Sequence, residues 1–129
     1  MKKKIPENVL KLLNGKEVNE EKILYENDDF LVLVDPKNKN NKIHYTAWIK
    51  DDIESMEDLD IIIFCKIIKL KSELIKLNII DKNIHSFLHY PPSFYRLHIH
   101  FCNEEEYLEN KNDAYDLNQV LEYIFVSKL

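Results

Sequence analysis

A single glycine, Gly15, serves a chain of 129 residues. Phosphate-cradling loops and dinucleotide-binding turns place several glycines within one tight turn. Neither can be built from this sequence. If the chain binds phosphate, side chains and helix ends must hold it.

The rest of the composition narrows the class further. The chain is 45% hydrophobic, which suits one domain with one core. A net charge of -5 excludes a long nucleic acid as a partner for the whole surface, because phosphate binding needs a basic face. A short nucleotide in a locally basic pocket stays open. Cys65 and Cys102 form no CxxC motif and no disulfide framework. They read as reduced thiols of a cytoplasmic or nuclear protein. The opening Met1-Lys2-Lys3-Lys4-Ile5-Pro6 is followed by no apolar stretch and does not read as a signal peptide. The longest apolar run, Ile61 to Cys65, is too short to span a bilayer.

Residues 1–20 read as an N-terminal arm or short helix, and 21–129 as one domain. Lys22 to Tyr25 alternates into the turn Glu26-Asn27-Asp28-Asp29. A β-rich run, Phe30 to Val34, follows and is ended by Asp35-Pro36. After a polar loop, Ile43 to Ile49 reads as the next strand. Ser55-Met56-Glu57-Asp58 looks like a capping box that opens a helix from about Met56 to Leu77. Its apolar stripe is Leu59, Ile62, Ile63, Cys65, Ile67, Leu70, Leu74 and Leu77. Strands are expected over Ile84 to Tyr90 and Arg96 to Phe101, divided by a bend at Pro91-Pro92-Ser93. Asn103-Glu104-Glu105-Glu106 reads as a solvated loop, and Asn118 to Val126 as a closing amphipathic helix. The fold class is α+β, an antiparallel sheet with one long helix and a C-terminal helix.

Four of the five histidines lie between His85 and His100. Strand alternation puts Arg96, His98 and His100 on one face, with Leu97, Ile99 and Phe101 facing the core. Such a face has two chemical uses. His98 and His100, with His89 folding over, have ligand types that suit a metal, although Arg96 would repel a cation. Alternatively the face binds phosphate: arginine grips phosphate oxygens in a fork, and imidazole attacks phosphorus or donates to a phosphoryl oxygen. The third reading is a set of half-exposed strand histidines without a role.

Arg96-Leu97-His98-Ile99-His100-Phe101-Cys102 resembles the motif of the histidine triad (HIT) superfamily, in which three histidines alternate with apolar residues. The preceding Leu88-His89-Tyr90-Pro91-Pro92-Ser93-Phe94-Tyr95 resembles the scavenger mRNA decapping branch. So do Glu21 to Asn27, Leu33-Val34-Asp35-Pro36-Lys37, and Ile53 to Leu59. Together they cover most of residues 20–102, in the family's order.

The resemblance implies the following roles. His98 is the nucleophile that carries the nucleotidyl group. His89, Ser93, His100 and Lys37 surround phosphate, and Arg96, by the chemistry of its own guanidinium, is expected to bind phosphate beside them. Asp35, Pro36 and Phe94 meet the base, with Asp35 reading the edge of the cap guanine. The implied reaction splits residual cap dinucleotide into 7-methylguanosine monophosphate and a nucleoside diphosphate, with no metal and no other cofactor. The implied partners are a small-molecule substrate and a second copy in a homodimer, with no membrane.

Two departures stand beside this match. Arg96 takes the place of the first motif histidine, which is not the nucleophile. The family's decapping members also carry an N-terminal domain that closes over the cap, and the sequence starts close to the catalytic half. A non-catalytic nucleotide binder and a general HIT hydrolase of dinucleoside polyphosphates are the alternative expectations.

Overall fold

The computed structural model describes residues 4–18, 22–36, 38, 42–90 and 96–128. A short helix, α1 (Glu7–Leu13), precedes three strands: β1 (Ile23–Glu26), β2 (Phe30–Val34) and β3 (His44–Ile49). A 3₁₀ turn (Met56–Asp58) leads to the long helix α2 (Ile61–Lys76). Then come β4 (His85–His89), β5 (His98–Cys102), α3 (Glu104–Asn110), β6 (Ala114–Asp116) and α4 (Leu117–Lys128). The six strands form one antiparallel sheet in the order β1-β2-β3-β5-β4-β6. This is the α+β architecture expected from the sequence.

Scarcity of glycine leaves its mark on the turns. Asn27 closes the β1–β2 hairpin, its Oδ1 accepting from the backbone N–H groups of Asp29 and Phe30, both at 2.8 Å. At the end of α2, Asn78 takes the left-handed conformation that glycine usually supplies, with φ 57°. Its N–H reaches the carbonyl of Ile75 at 3.0 Å, and Ile79 N–H reaches Leu74 at 2.9 Å. The two bonds form a Schellman ending in which asparagine stands in for glycine.

Alternation along the strands divides the sheet into two faces. Phe30, Val32, Ala47, Ile49, Leu88, Ile99 and Phe101 point to one side. Helices α2 and α4 cover them with Phe64, Ile67, Leu70, Leu74, Leu117, Val120 and Ile124, all within one buried cluster. On the other side Leu31, Leu33 and Trp48 pack under Val9 and Leu12 of α1. That face also carries the histidines.

Helix α2 begins later than the sequence suggests. Ser55 does not cap a helix; its hydroxyl donates to the Glu57 carboxylate at 3.0 Å. Asp60 is the cap, accepting from Ile63 N–H at 2.9 Å. The buried stripe is correspondingly narrower. Ile62 and Leu77 are 65% and 53% exposed, and Cys65 is exposed, because the core-facing row runs through Phe64, Ile67, Leu70 and Leu74. The acidic segment read as a loop is instead the start of α3, capped by Asn103. Strand β6 was not foreseen; its three residues pair with β4.

Ile67 is fully buried at the centre of the α2 contact. Ile67→Ala is expected to lower unfolding free energy by roughly 2–5 kcal/mol, through lost burial and the cavity left behind. Denaturant unfolding of the two proteins measures it.

Candidate active site

Three neighbouring strands supply the site through alternate positions. In the β3–β5 ladder Trp48 lies opposite His98, Thr46 opposite His100, and His44 opposite Cys102. In the β4–β5 ladder Phe87 lies opposite His100. Cross-strand partners on one face are close enough for their rings to touch. Trp48 stacks on His98 with centroids 4.2 Å apart and planes at 23°. Phe87 stacks on His100 at 5.2 Å and 16°. The two histidines meet at 4.7 Å. A row of four rings therefore crosses the sheet, with the histidines held between a tryptophan and a phenylalanine. His89, at the end of β4, meets His100 edge-on at 4.8 Å.

His98 and His100 are buried, not half-exposed, at 5% and 7% accessible, while His85 and His89 are half-buried. His98 Nδ1 lies 3.2 Å from the backbone carbonyl of Arg96. A carbonyl only accepts, so Nδ1 carries the proton and Nε2 keeps its lone pair. Burial pushes the His98 pKa down to about 4. The Arg96 carbonyl and Asp35 oppose that shift, while His89 and His44 reinforce it. At neutral pH the ring is uncharged and nucleophilic at Nε2. His89 is oriented in the same manner, its Nδ1 donating to the carbonyl of Asn112 at 3.0 Å.

His44 joins this group from β3. Its Nε2 is 2.8 Å from His100 Nδ1, and its Nδ1 is 3.2 Å from Glu106 Oε1. Asp35 follows β2 directly, its N–H bonded to the His44 carbonyl at 2.9 Å. Its carboxylate oxygen lies 3.8 Å from His44 Nε2, and its side chain is 19% exposed. Asp35 thus stands at the rim of the histidine cluster. Pro36 beside it is exposed.

Arg96 departs from its expected place. It lies in the bend before β5, outside the strand alternation. Its Nη1 donates to the carbonyls of Ile49, Lys50 and Asp51 at 3.3, 2.8 and 3.0 Å. The guanidinium clamps the end of β3, where backbone carbonyls converge, instead of lining the face of His98 and His100. His85, also in the histidine-rich segment, stacks on Tyr107 of α3 at 4.0 Å and pairs with Glu104. Lys37, Ser93 and Phe94 lie outside the described residues. Among the described residues, no set of three or more histidine, cysteine or acidic side chains is placed to hold a metal ion. No described helix is long and apolar enough to cross a membrane.

Sequence reasoning missed His44 and Glu106. His44 had a signal: strand alternation from Trp48 puts residues 46 and 44 on the Trp48 face. Glu106 had none, because a glutamate in an acidic run is ordinarily solvated.

Alternate histidines on an inner strand of an antiparallel sheet, backed by a long helix, make this a protein of the HIT fold, a fold of nucleotide binding and hydrolysis. The chain belongs to the family described as "Scavenger mRNA decapping enzyme C-term binding", which matches residues 8–115. Among solved structures it is similar to the crystal structure of the aprataxin ortholog Hnt3 from Schizosaccharomyces pombe, a HIT superfamily member. The TM-score is 0.59 at 15% identity, over 82% of this chain and 60% of that one. This chain therefore spans less than two thirds of that structure, and the likeness is one of fold. No curated protein matches the sequence.

The neutral state of His98 has a thermodynamic consequence. Its pKa is lower in the folded chain than the ordinary 6.5, so the unfolded chain binds more protons at intermediate pH. The stabilisation is complete above about pH 6.5 and is lost as pH falls towards about 4, amounting to about 3 kcal/mol. Denaturant unfolding across that window should show the loss, and His98→Asn should flatten the profile.

Proposed function

We propose that the chain hydrolyses residual mRNA cap dinucleotide through a covalent nucleotidyl-histidine. His98 Nε2 attacks the phosphorus next to 7-methylguanosine, and the N–P bond forms as the bond to the departing nucleoside diphosphate breaks. Water then releases 7-methylguanosine monophosphate. One observation carries the reading: His98 is buried, uncharged at neutral pH, and fixed through Nδ1 so that Nε2 holds the lone pair. An anionic substrate meets a neutral nucleophile there, and His89 and His100 stand within one ring's reach to meet phosphoryl oxygens. The family match supports the cap as substrate.

Arg96 bears on the alternative, a binder without turnover. An arginine lying over His98 would favour that reading. Its attachment to the end of β3 leaves the nucleophile unencumbered by it, which supports catalysis. A cytoplasmic or nuclear location and a homodimer complete the proposal.

Incubation with methylated cap dinucleotide, followed by product analysis, tests the reaction. Wild type should release 7-methylguanosine monophosphate, and His98→Asn should fall to background while unfolding normally near neutral pH. Residual turnover in that variant would remove His98 from its role.

Asp35 sets base preference in this reading. Methylation at N7 gives guanine a positive charge, while N1 and N2 still donate. A carboxylate at the rim of the site accepts from both and offsets the charge. Losing a charged hydrogen-bond partner costs on the order of 1.5–3 kcal/mol. Asp35→Ala should therefore erase roughly a ten- to hundredfold preference for methylated over unmethylated cap dinucleotide in kcat/KM. Equal values for both substrates on wild type would replace the cap with dinucleoside polyphosphates in general.

A further inference from the structure

Among the described residues, Glu106 is the one buried acidic side chain, and the reaction above does not use it. It is 2% exposed, on a helix whose neighbouring glutamates face solvent. A carboxylate does not leave water without partners. Glu106 has two: Asn110 Nδ2 donates to its Oε1 at 2.7 Å, and His44 Nδ1 lies 3.2 Å from the same oxygen. Asn103 caps α3 and so holds Glu106 under the sheet, its Oδ1 accepting from the Glu106 N–H at 3.1 Å. His44 is 1% exposed.

An ionised carboxylate only accepts, so His44 Nδ1 carries a proton. The 2.8 Å contact between His44 Nε2 and His100 Nδ1 then contains one shared proton. When that proton is on His100, His44 is neutral and His100 Nε2 is a lone pair. When His100 gains a second proton at Nε2, the shared proton can cross. The bond to His100 Nδ1 breaks and the bond to His44 Nε2 forms. His100 is then neutral with an N–H at Nε2, and the positive charge rests on His44 beside Glu106.

We propose that Glu106 and His44 are positioning residues for His100, forming a relay in which Glu106 lets His44 take up the shared proton so that His100 presents an Nε2–H donor to a phosphoryl oxygen. The donor role rests on the phosphate-binding reading of His100 given above. Among the described residues, the other ionisable groups facing the relay are Asp35 after β2, Lys42 before β3, whose ammonium feels Glu106, His89 from β4, His98 on the same strand as His100, and the Cys102 thiol opposite His44. Of these only Asp35 adds negative charge, at 3.8 Å from His44 Nε2. Glu106 is the nearer carboxylate and the more deeply buried one.

The test uses the ligand-free protein labelled with ¹⁵N in its histidines, followed by long-range imidazole NMR as pH is varied. In wild type, His44 Nδ1 should stay protonated, and the pair's added proton should appear as His100 Nε2–H. In Glu106→Gln the pair should take up that proton at a pH lower by roughly one unit or more, since the amide offsets no charge. In the same variant the alkaline limb of kcat with cap dinucleotide should move to lower pH by the same amount, with KM little changed. A merely structural role would lower the folded fraction without moving either titration. Identical tautomers and titrations in a folded Glu106→Gln protein overturn the relay. If that variant does not fold, His44→Gln removes the bridge from its other side and must lower the His100 titration likewise; an unshifted His100 there also overturns it. A shifted NMR titration in a protein that turns over no cap dinucleotide upholds the relay and removes the cap-hydrolase reading instead.

Discussion

The pairing of β3 with β5 is the constraint on which the site depends. Its register sets Trp48 against His98, Thr46 against His100 and His44 against Cys102. A slip of one residue would send every one of these side chains to the other face, among the apolar residues beneath α2 and α4. Two clamps guard the register. Arg96 ties the start of β5 to carbonyls at the end of β3, and Asn103 N–H bonds the Ile43 carbonyl at the opposite end of the ladder. The first motif position of this chain thus contributes strand alignment, a task that suits a permanently charged five-donor fork better than an imidazole.

Burial decides the chemistry of the histidines more than charge does. Aromatic neighbours on both sides exclude water from His98 and His100, and backbone carbonyls select the tautomer of His98 and His89. The result at His98 is a neutral ring on a chain of net charge -5. Attraction of a polyanionic ligand cannot come from the overall surface charge. It must come from hydrogen-bond donors aimed at the ligand's oxygens once it has arrived, and such donors gain strength in a dry site.

Much of this was legible in the sequence. Alternation along His98 to Phe101 gave the strand and its two faces, and Ile67, Leu70 and Leu74 gave the inner stripe of α2. The failures have physical causes. Ser55 carries the residue types of a capping box, but Asp60 satisfies the first turn of the helix, and Leu59 between them is extended and buried. Arg96 looked like a strand residue because the motif alternates through it, yet the ladder begins only at His98. Glu106 was read as solvated because nothing local distinguishes it from Glu104 and Glu105. Its burial is set by His44, 62 residues away in the chain, and only the folded sheet brings the two together. The site's second tier was hidden for that reason, while its first tier was written in adjacent positions.

The short strand β6 has a consequence for how copies of the chain can meet. By pairing with β4 it occupies the hydrogen-bonding groups of an otherwise open inner strand. The sheet then ends in β6, three residues long, and β1, four residues long with a register shift between Ile23 and Tyr25. Among the described residues, neither margin offers a long straight row of amides and carbonyls on which a neighbour's strand could be templated. Fibrous stacking and strand exchange are thereby discouraged at both ends. Among the described residues, any continuation of the ladder from copy to copy has only these two short margins to work with.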